Sequence, residues 1–184
     1  IRDSSFSDRQ VNLFEEGFDL AIRIGTLADS TFLKARHLGH HGMVLCASPA
    51  YLQAHPQPST LPELAGHQTI GYLRGGQLQK WRLHDPQSGP VAWQPQAHLV
   101  MDDFTAIAAA AVSGLGIAWI PDWLAAQEAE QGRLRCILPQ SASVTFAISA
   151  VWPEAPWVPQ KIRVTIDALL AGLPQAIRQT GGHP

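Results

Sequence analysis

Three histidines at positions 37, 40 and 41 form the densest group of metal-ligating side chains in the 184-residue sequence. His37 and His40 would share one face of a helix, and imidazole nitrogens are common zinc ligands. Gly39 and Gly42 interrupt the group, however, and these glycines favour a loop. We therefore expect a solvated or edge-strand histidine cluster, with a metal site as the alternative.

The cysteines, Cys46 and Cys136, lie far apart without a CxxC motif or a zinc-ligand spacing. Neither a disulfide framework nor a cysteine metal site is expected from this pattern. Both residues are interpreted as small, buried apolar side chains.

Motifs for nucleotide binding and catalysis do not fit the sequence. The pair Gly114 and Gly116 suggests a dinucleotide loop, but the third glycine of that motif would fall at Trp119, and a helix precedes the glycines. No GxSxG, HExxH, P-loop or CxxC pattern occurs, and no cofactor, metal or catalytic residue is predicted. Arg23, inside an apolar run, predicts either a structural ion pair or an anion ligand.

Composition narrows the class of protein and its partners. Hydrophobic residues make up 46% of the chain and charged residues 15%, which is typical of a globular domain with a core. A net charge of −2 gives no electrostatic footprint for nucleic acid or an acidic membrane. The uncharged run 104–121 is broken by Ser113, Gly114 and Gly116, so it predicts helix, turn and strand rather than a membrane span.

Helical and strand patterns alternate along the chain, which predicts an α/β fold with mostly parallel sheets. Asp85-Pro86-Gln87-Ser88-Gly89 predicts a hairpin turn, and Asp102-Asp103 predicts the cap of an alanine-rich helix. Helices are predicted at 10–16, 49–52, 61–65, 104–112, 123–131 and 159–170. Strands are predicted at 18–25, 43–47, 68–73, 81–83, 91–93, 97–101, 116–121, 135–138 and 144–152.

Three runs carry a resemblance to a known family: FDLAIRIG at residues 18–25, ASPAYL at 47–52 and GLGIAWIP at 114–121. In their order and spacing they resemble the effector-binding domain of LysR-type transcriptional regulators. A strand over 146–152 and a terminal helix extend the resemblance across nearly the whole chain.

The resemblance implies a type 2 periplasmic-binding-protein-like fold, in which two Rossmann-like lobes are joined by two crossover strands. Lobe I would combine residues 1–46 with 147–184, and lobe II would comprise residues 47–146. Residue 1 then falls at the position of the second strand of lobe I. The first strand and helix of lobe I, and the DNA-binding winged helix-turn-helix of the family, would precede it.

The resemblance also implies an effector site at strand ends and helix starts in the cleft between the lobes. Ordinary turn or cap chemistry is the alternative interpretation for each position. Carboxylates at positions 102 and 103 would repel an anionic effector unless one of them points away. The implied effector-binding residues are Ser7, Gly25, Thr26, Tyr72, Arg74, Asp103 and Phe104.

The function implied is sensory. A small-molecule effector would bind one lobe or dimer geometry better than another and so alter DNA binding through the N-terminal domain. The family implies a cytoplasmic homodimer or homotetramer that contacts DNA only through that domain and has no membrane partner. An extracytoplasmic solute-binding protein of the same fold is the alternative, although the runs at 18–25 and 47–52 favour the regulator.

Overall fold

The computed structural model describes residue 13 and residues 15–27, 29–142 and 144–180, with the side chains of the last helix described to residue 172. Strands and helices alternate through these residues. The strands are β1 Ala21–Ile24, β2 Leu33–Ala47, β3 Thr69–Arg74, β4 Gln77–Leu78, β5 Trp81–Asp85, β6 Gly89–Trp93, β7 Ala97–Met101, β8 Ile117–Pro121, β9 Arg135–Ile137 and β10 Thr145–Pro153. The α-helices are α1 Pro49–Ala54, α2 Phe104–Val112, α3 Asp122–Glu130 and α4 Gln160–Thr180, and short 3-10 helices span Pro62–Gly66 and Pro139–Ser141.

The described chain divides into two compact units, and it passes between them after residue 41 within β2 and after residue 144 before β10. The first unit comprises residues 42–144. Its strands form a mixed sheet in the order β9, β2, β8, β3, β7, with β4 beside the end of β3. β3 runs parallel to both β7 and β8, whereas β2 runs antiparallel to β8 and β9.

Helix α2 forms because a capping aspartate precedes a run of alanines, which have the best helix propensity. Its buried face consists of Ile107 and three alanines, at positions 108, 110 and 111. This face packs on the sheet through Ile70, Ala118 and Ile120. Because alanine side chains are short, the helix axis can lie close to the strands.

A two-stranded hairpin, β5–β6, belongs to the same unit and confirms the predicted turn. Asp85 Oδ1 accepts hydrogen bonds from the backbone N–H groups of Gln87 and Ser88, both at 2.9 Å. The register sets Trp81 opposite Trp93, and their ring centroids lie 4.8 Å apart. Trp81 is 1% exposed, so the hairpin is anchored by a buried indole.

The second unit comprises the described residues up to 41 together with those from 145 onward. β1 pairs antiparallel with β10, and β10 neighbours β2. Helix α4 packs Ile162 and Ile166 against Leu38, Ile148 and Ala150, and this cluster forms the core of the unit. The side of this terminal helix that carries Ile162 and Ile166 therefore faces the sheet.

The α/β class predicted from the sequence is confirmed, but three details differ from what the sequence patterns favoured. The histidine segment, for which the glycines favoured a loop, is part of β2, a strand of 15 residues, so the strand form of the expected cluster is the one present. Most described strand pairings are antiparallel rather than parallel, because β1 runs against β10, β8 and β9 run against β2, and β4 and β6 run against their hairpin partners. Cys136 is exposed rather than buried, since it lies on the edge strand β9.

Two of the predicted helices lie near the ends of the chain. The helix predicted at 10–16 falls largely outside the described residues. Helix α4 continues to Thr180, ten residues beyond its predicted end. No helix in the described part of the chain combines the length and the hydropathy needed to cross a bilayer.

Candidate effector site

The carboxyl ends of the parallel strands β3 and β7 meet at one edge of the first unit. The register sets Tyr72 opposite Met101, so Arg74 at the end of β3 and Asp103 after β7 both follow this edge. Open α/β sheets bind ligands in the crevice outside the carboxyl ends of their parallel strands. The structure thus gathers four of the predicted residues, Tyr72, Arg74, Asp103 and Phe104, at one strand edge and helix start.

Asp103 caps helix α2. Its Oδ1 accepts a hydrogen bond of 2.7 Å from the backbone N–H of Ala106, and its own backbone is extended. The partial positive charge at the helix start further stabilises the carboxylate. Cap chemistry, the alternative interpretation for this position, is therefore present, and one of the two neighbouring carboxylates is directed at the helix backbone.

Tyr72 and Phe104 form an aromatic stack beside the cap. Their ring centroids lie 4.2 Å apart with an interplanar angle of 24°. Tyr72 belongs to the buried core under α2, and Phe104 is a half-buried residue packed against that core. The stack fixes the start of α2 on the end of β3, so the two rings shape the edge mainly through packing.

Arg74 places a positive charge at this edge of the sheet. Its side chain is exposed, and none of the ion pairs found among the described residues involves it. A guanidinium offers five N–H donors in a planar fork that suits carboxylates and related anions. Arg74 can therefore receive an anionic or hydrogen-bond-accepting group of a ligand.

Asp122, which begins α3 directly after β8, was not selected from the sequence. Its Oδ2 accepts a 2.8 Å hydrogen bond from the backbone N–H of Gly42, and its Oδ1 accepts one of 2.7 Å from Trp123 N–H. A Cβ at Gly42 would lie 2.8 Å from Oδ2, so any side chain at this position would displace the Asp122 carboxylate from its present place. The sequence signal that could have identified Asp122 is its position directly after the predicted strand 116–121.

Gly25 and Thr26 lie in the second unit, after β1. The N–H of Gly25 donates a 2.8 Å hydrogen bond to the carbonyl of Ala147 on β10, and Thr26 is exposed. Both residues therefore occupy a strand-end loop, as the resemblance implied. Ser7 lies outside the described residues.

The predicted histidine cluster lies on the half of β2 that belongs to the second unit. The ring centroids of His37 and His40 are 4.4 Å apart, and His41 is buried with its ring stacked on Phe146 at 5.6 Å. Within the described ranges, no group of three or more His, Cys, Asp or Glu residues could hold a metal ion.

Arg23 is half-buried on β1, opposite Ser149.

A separate aromatic group follows α1 in the first unit. The Tyr51 hydroxyl accepts a 3.0 Å hydrogen bond from Gln68 N–H and lies 3.1 Å from Nδ1 of His67. The ring of His55 stacks on Tyr51 with a centroid separation of 4.3 Å. Burial lowers the pKa of His67, and the neighbouring His55 lowers it further. His67 is therefore held mainly in its neutral form near pH 7.

The mixed sheets with their flanking helices define an α/β domain with a periplasmic-binding-protein-like fold. A family model described as the LysR substrate binding domain matches residues 3–174. The chain therefore belongs to the LysR substrate-binding domain family.

Named relatives support this assignment. The transcriptional regulator CrgA of Neisseria meningitidis serogroup C is 34% identical over 168 residues, covering 91% of this chain and 55% of the relative. The transcriptional activator AaeR of Escherichia coli K12 is 30% identical over 158 residues, covering 86% of this chain and 50% of the relative. The chain thus spans about half the length of these curated relatives.

The solved regulatory domain of CrgA has a TM-score of 0.78 at 34% identity, covering 89% of this chain and 79% of that structure. The full-length virulence activator AphB of Vibrio cholerae has a TM-score of 0.77 at 29% identity, covering 91% of this chain and 56% of that structure. These similarities favour the regulator over the solute-binding alternative.

Proposed function

We propose that the chain binds a small organic effector with residues that follow strand ends in both units. The proposed contacts are those implied by the family resemblance. The two compact units correspond in this proposal to the two lobes of the family fold, with the crossovers in β2 and at the start of β10. The proposed effector-binding residues are Ser7, Gly25, Thr26, Tyr72, Arg74, Asp103 and Phe104.

The observation that carries the proposal is the convergence of Arg74 and the start of α2 at the carboxyl edge of β3 and β7. Arg74 supplies an exposed cation, while the carboxylate of Asp103 is hydrogen-bonded to the backbone of its own helix. The edge is therefore suited to an effector with a carboxylate or another accepting group that reaches the guanidinium.

A ligand screen on the purified protein tests the proposal. Small metabolites with and without a carboxylate are added singly, and the unfolding temperature is measured, because a ligand that binds only the folded state raises it. Each hit is then titrated by calorimetry against the wild type and the Arg74→Gln variant. Loss of a charge-assisted hydrogen bond should weaken binding about tenfold to a hundredfold.

Arg135→Gln is the matched control, since Arg135 is an exposed arginine on β9 in the same unit. This variant should bind the hit with the wild-type affinity. Equal affinities for the wild type and Arg74→Gln would remove Arg74 from the site. Equal weakening in both arginine variants would show a general charge effect instead.

We propose further that the whole protein regulates transcription in the cytoplasm as a homodimer or homotetramer, without catalytic turnover. Support comes from relatives named as HTH-type transcriptional regulators. In this proposal DNA is contacted only through an N-terminal helix-turn-helix domain. Sedimentation of the full-length protein and its gel-shift titration on DNA upstream of its own gene, with and without the effector, test these statements. A monomer that binds no DNA would contradict them.

A further inference from the structure

The two cysteines of the chain face each other across neighbouring strands. In the antiparallel pairing of β2 with β9, Cys46 is the direct partner of Cys136. Directly opposed residues of an antiparallel pair point to the same face, with Cα atoms about 4.5 or 5.5 Å apart. Disulfides join Cα atoms about 4.4–6.8 Å apart, so either kind of opposed pair satisfies this distance.

Both thiols are free, and their exposure differs. Cys46 is fully buried on a strand between β8 and β9, within the core under α2, whereas Cys136 is exposed on the edge strand. The charge of a Cys136 thiolate also acts on Cys46, which is consistent with two neighbouring sulfur atoms. A small molecule from solvent can therefore reach the thiol of Cys136, whereas the thiol of Cys46 is enclosed by the protein.

We propose that Cys46 and Cys136 form an intramolecular disulfide when a hydroperoxide oxidises Cys136. The thiolate of Cys136 attacks the peroxide, so that an S–O bond forms, the O–O bond breaks and an alcohol leaves. The sulfur of Cys46 then attacks the sulfenic acid, an S–S bond forms and water leaves. Two thiols are oxidised and one hydroperoxide is reduced to alcohol and water.

The surroundings of the pair make this oxidation slow. Burial raises the pKa of Cys46, and partial desolvation of the thiol at the sheet edge, together with the carboxylate of Asp122, raises the pKa of Cys136. Because the thiolate is the nucleophile, little of either cysteine is reactive at neutral pH. The pair should remain reduced in weak oxidant and respond to a sustained excess of hydroperoxide.

Peptide mapping of the oxidised protein tests the proposal. The reduced, folded protein is incubated with excess tert-butyl hydroperoxide, free thiols are blocked, and proteolytic peptides are analysed by mass spectrometry without reductant. We expect a linked peptide pair containing Cys46 and Cys136, with the mass of two hydrogen atoms lost. Addition of reductant should restore both separate peptides.

The double variant Arg135→Cys/Cys136→Ser is the matched control. It moves the exposed thiol by one residue along β9, to the opposite face of the strand. This variant should form no link to Cys46 while its far-ultraviolet circular dichroism stays that of the wild type. Equal linkage in the variant, or sulfinic acid at Cys136 of the wild type with Cys46 still free, would overturn the proposal.

Discussion

Replacement of Gly116 by alanine should destabilise the first unit through two effects at one position. Gly116 precedes β8 with φ of +145°, a conformation that residues with a side chain rarely adopt. A Cβ there would lie 2.5 Å from the carbonyl oxygen of Gln68. That same oxygen accepts a 2.9 Å hydrogen bond from Ile117 N–H at the start of β8.

The magnitude follows from these contacts. Holding a non-glycine residue in this region of backbone space costs about 1–3 kcal/mol. Displacement of the Gln68 carbonyl weakens a backbone hydrogen bond worth about 0.5–1.5 kcal/mol. The free energy of unfolding should therefore fall by about 1.5–4.5 kcal/mol, which a domain with a stability of about 5–15 kcal/mol survives.

Gly114→Ala provides the comparison, because Gly114 also has a positive φ, +81°. A Cβ at Gly114 would lie 3.6 Å from the nearest atom of the surrounding residues, which is an ordinary van der Waals contact. Only the backbone cost of about 1–2 kcal/mol applies there. Urea unfolding of both variants, followed by circular dichroism and tryptophan fluorescence, measures the difference. If Gly116→Ala proves no more destabilising than Gly114→Ala, the close approach of a Cβ to Gln68 does not contribute to the loss of stability, and the prediction is refuted.

Two further predictions concern the α2 cap and a histidine. Asp103→Ala should lower the free energy of unfolding by about 1 kcal/mol, and Asp103→Asn by only a few tenths, because asparagine also caps; urea titration of both variants checks this. His67 has a lowered pKa in the folded chain, so the unfolded chain binds more protons as the pH falls. The contribution of His67 to stability is therefore present above about pH 6.5 and is lost as the pH falls toward the lowered pKa. The loss of stability from pH 7.5 to 5.5 should accordingly be smaller in His67→Gln than in the wild type, and equal losses would contradict the assignment.

Local sequence signals were sufficient where one short segment decides the structure. The bounds of α2 agree with the prediction to the residue, because an aspartate cap, an alanine run and Gly114 are all local. The hairpin at Asp85 was predictable for the same reason, since one carboxylate organises the turn.

Features that depend on partners distant in sequence could not be predicted from local sequence patterns. The first half of β2 contains three histidines and Gly39, and it becomes strand only through pairing within the sheet. Strand direction was also misjudged, because alternating helix and strand signals do not reveal that β2 opposes β8 and β9. The exposure of Cys136 depends on β9 lying at an edge, which no local pattern encodes.

In the candidate site, too, the residues could be selected from the sequence, whereas their arrangement depends on partners that are distant in sequence. The resemblance selected Arg74 and Asp103, but only the register of β3 with β7 establishes that they follow the same sheet edge. Asp122 was missed because its partner, the N–H of Gly42, lies 80 residues away in sequence.

Because the buried face of α2 is lined by alanines, this helix tolerates smaller side chains there better than larger ones. Ala108, Ala110 and Ala111 have little side chain to lose, so truncation to smaller residues removes few contacts. Enlargement is different, because added methylene groups in a filled interior force strained rotamers or backbone shifts costing about 1–3 kcal/mol. Gly71 shows the same constraint on β3, where a Cβ would lie 2.4 Å from Leu78 and 2.8 Å from Ala97. Under selection, this unit should accumulate substitutions at its surface while its small interior residues resist replacement by anything larger.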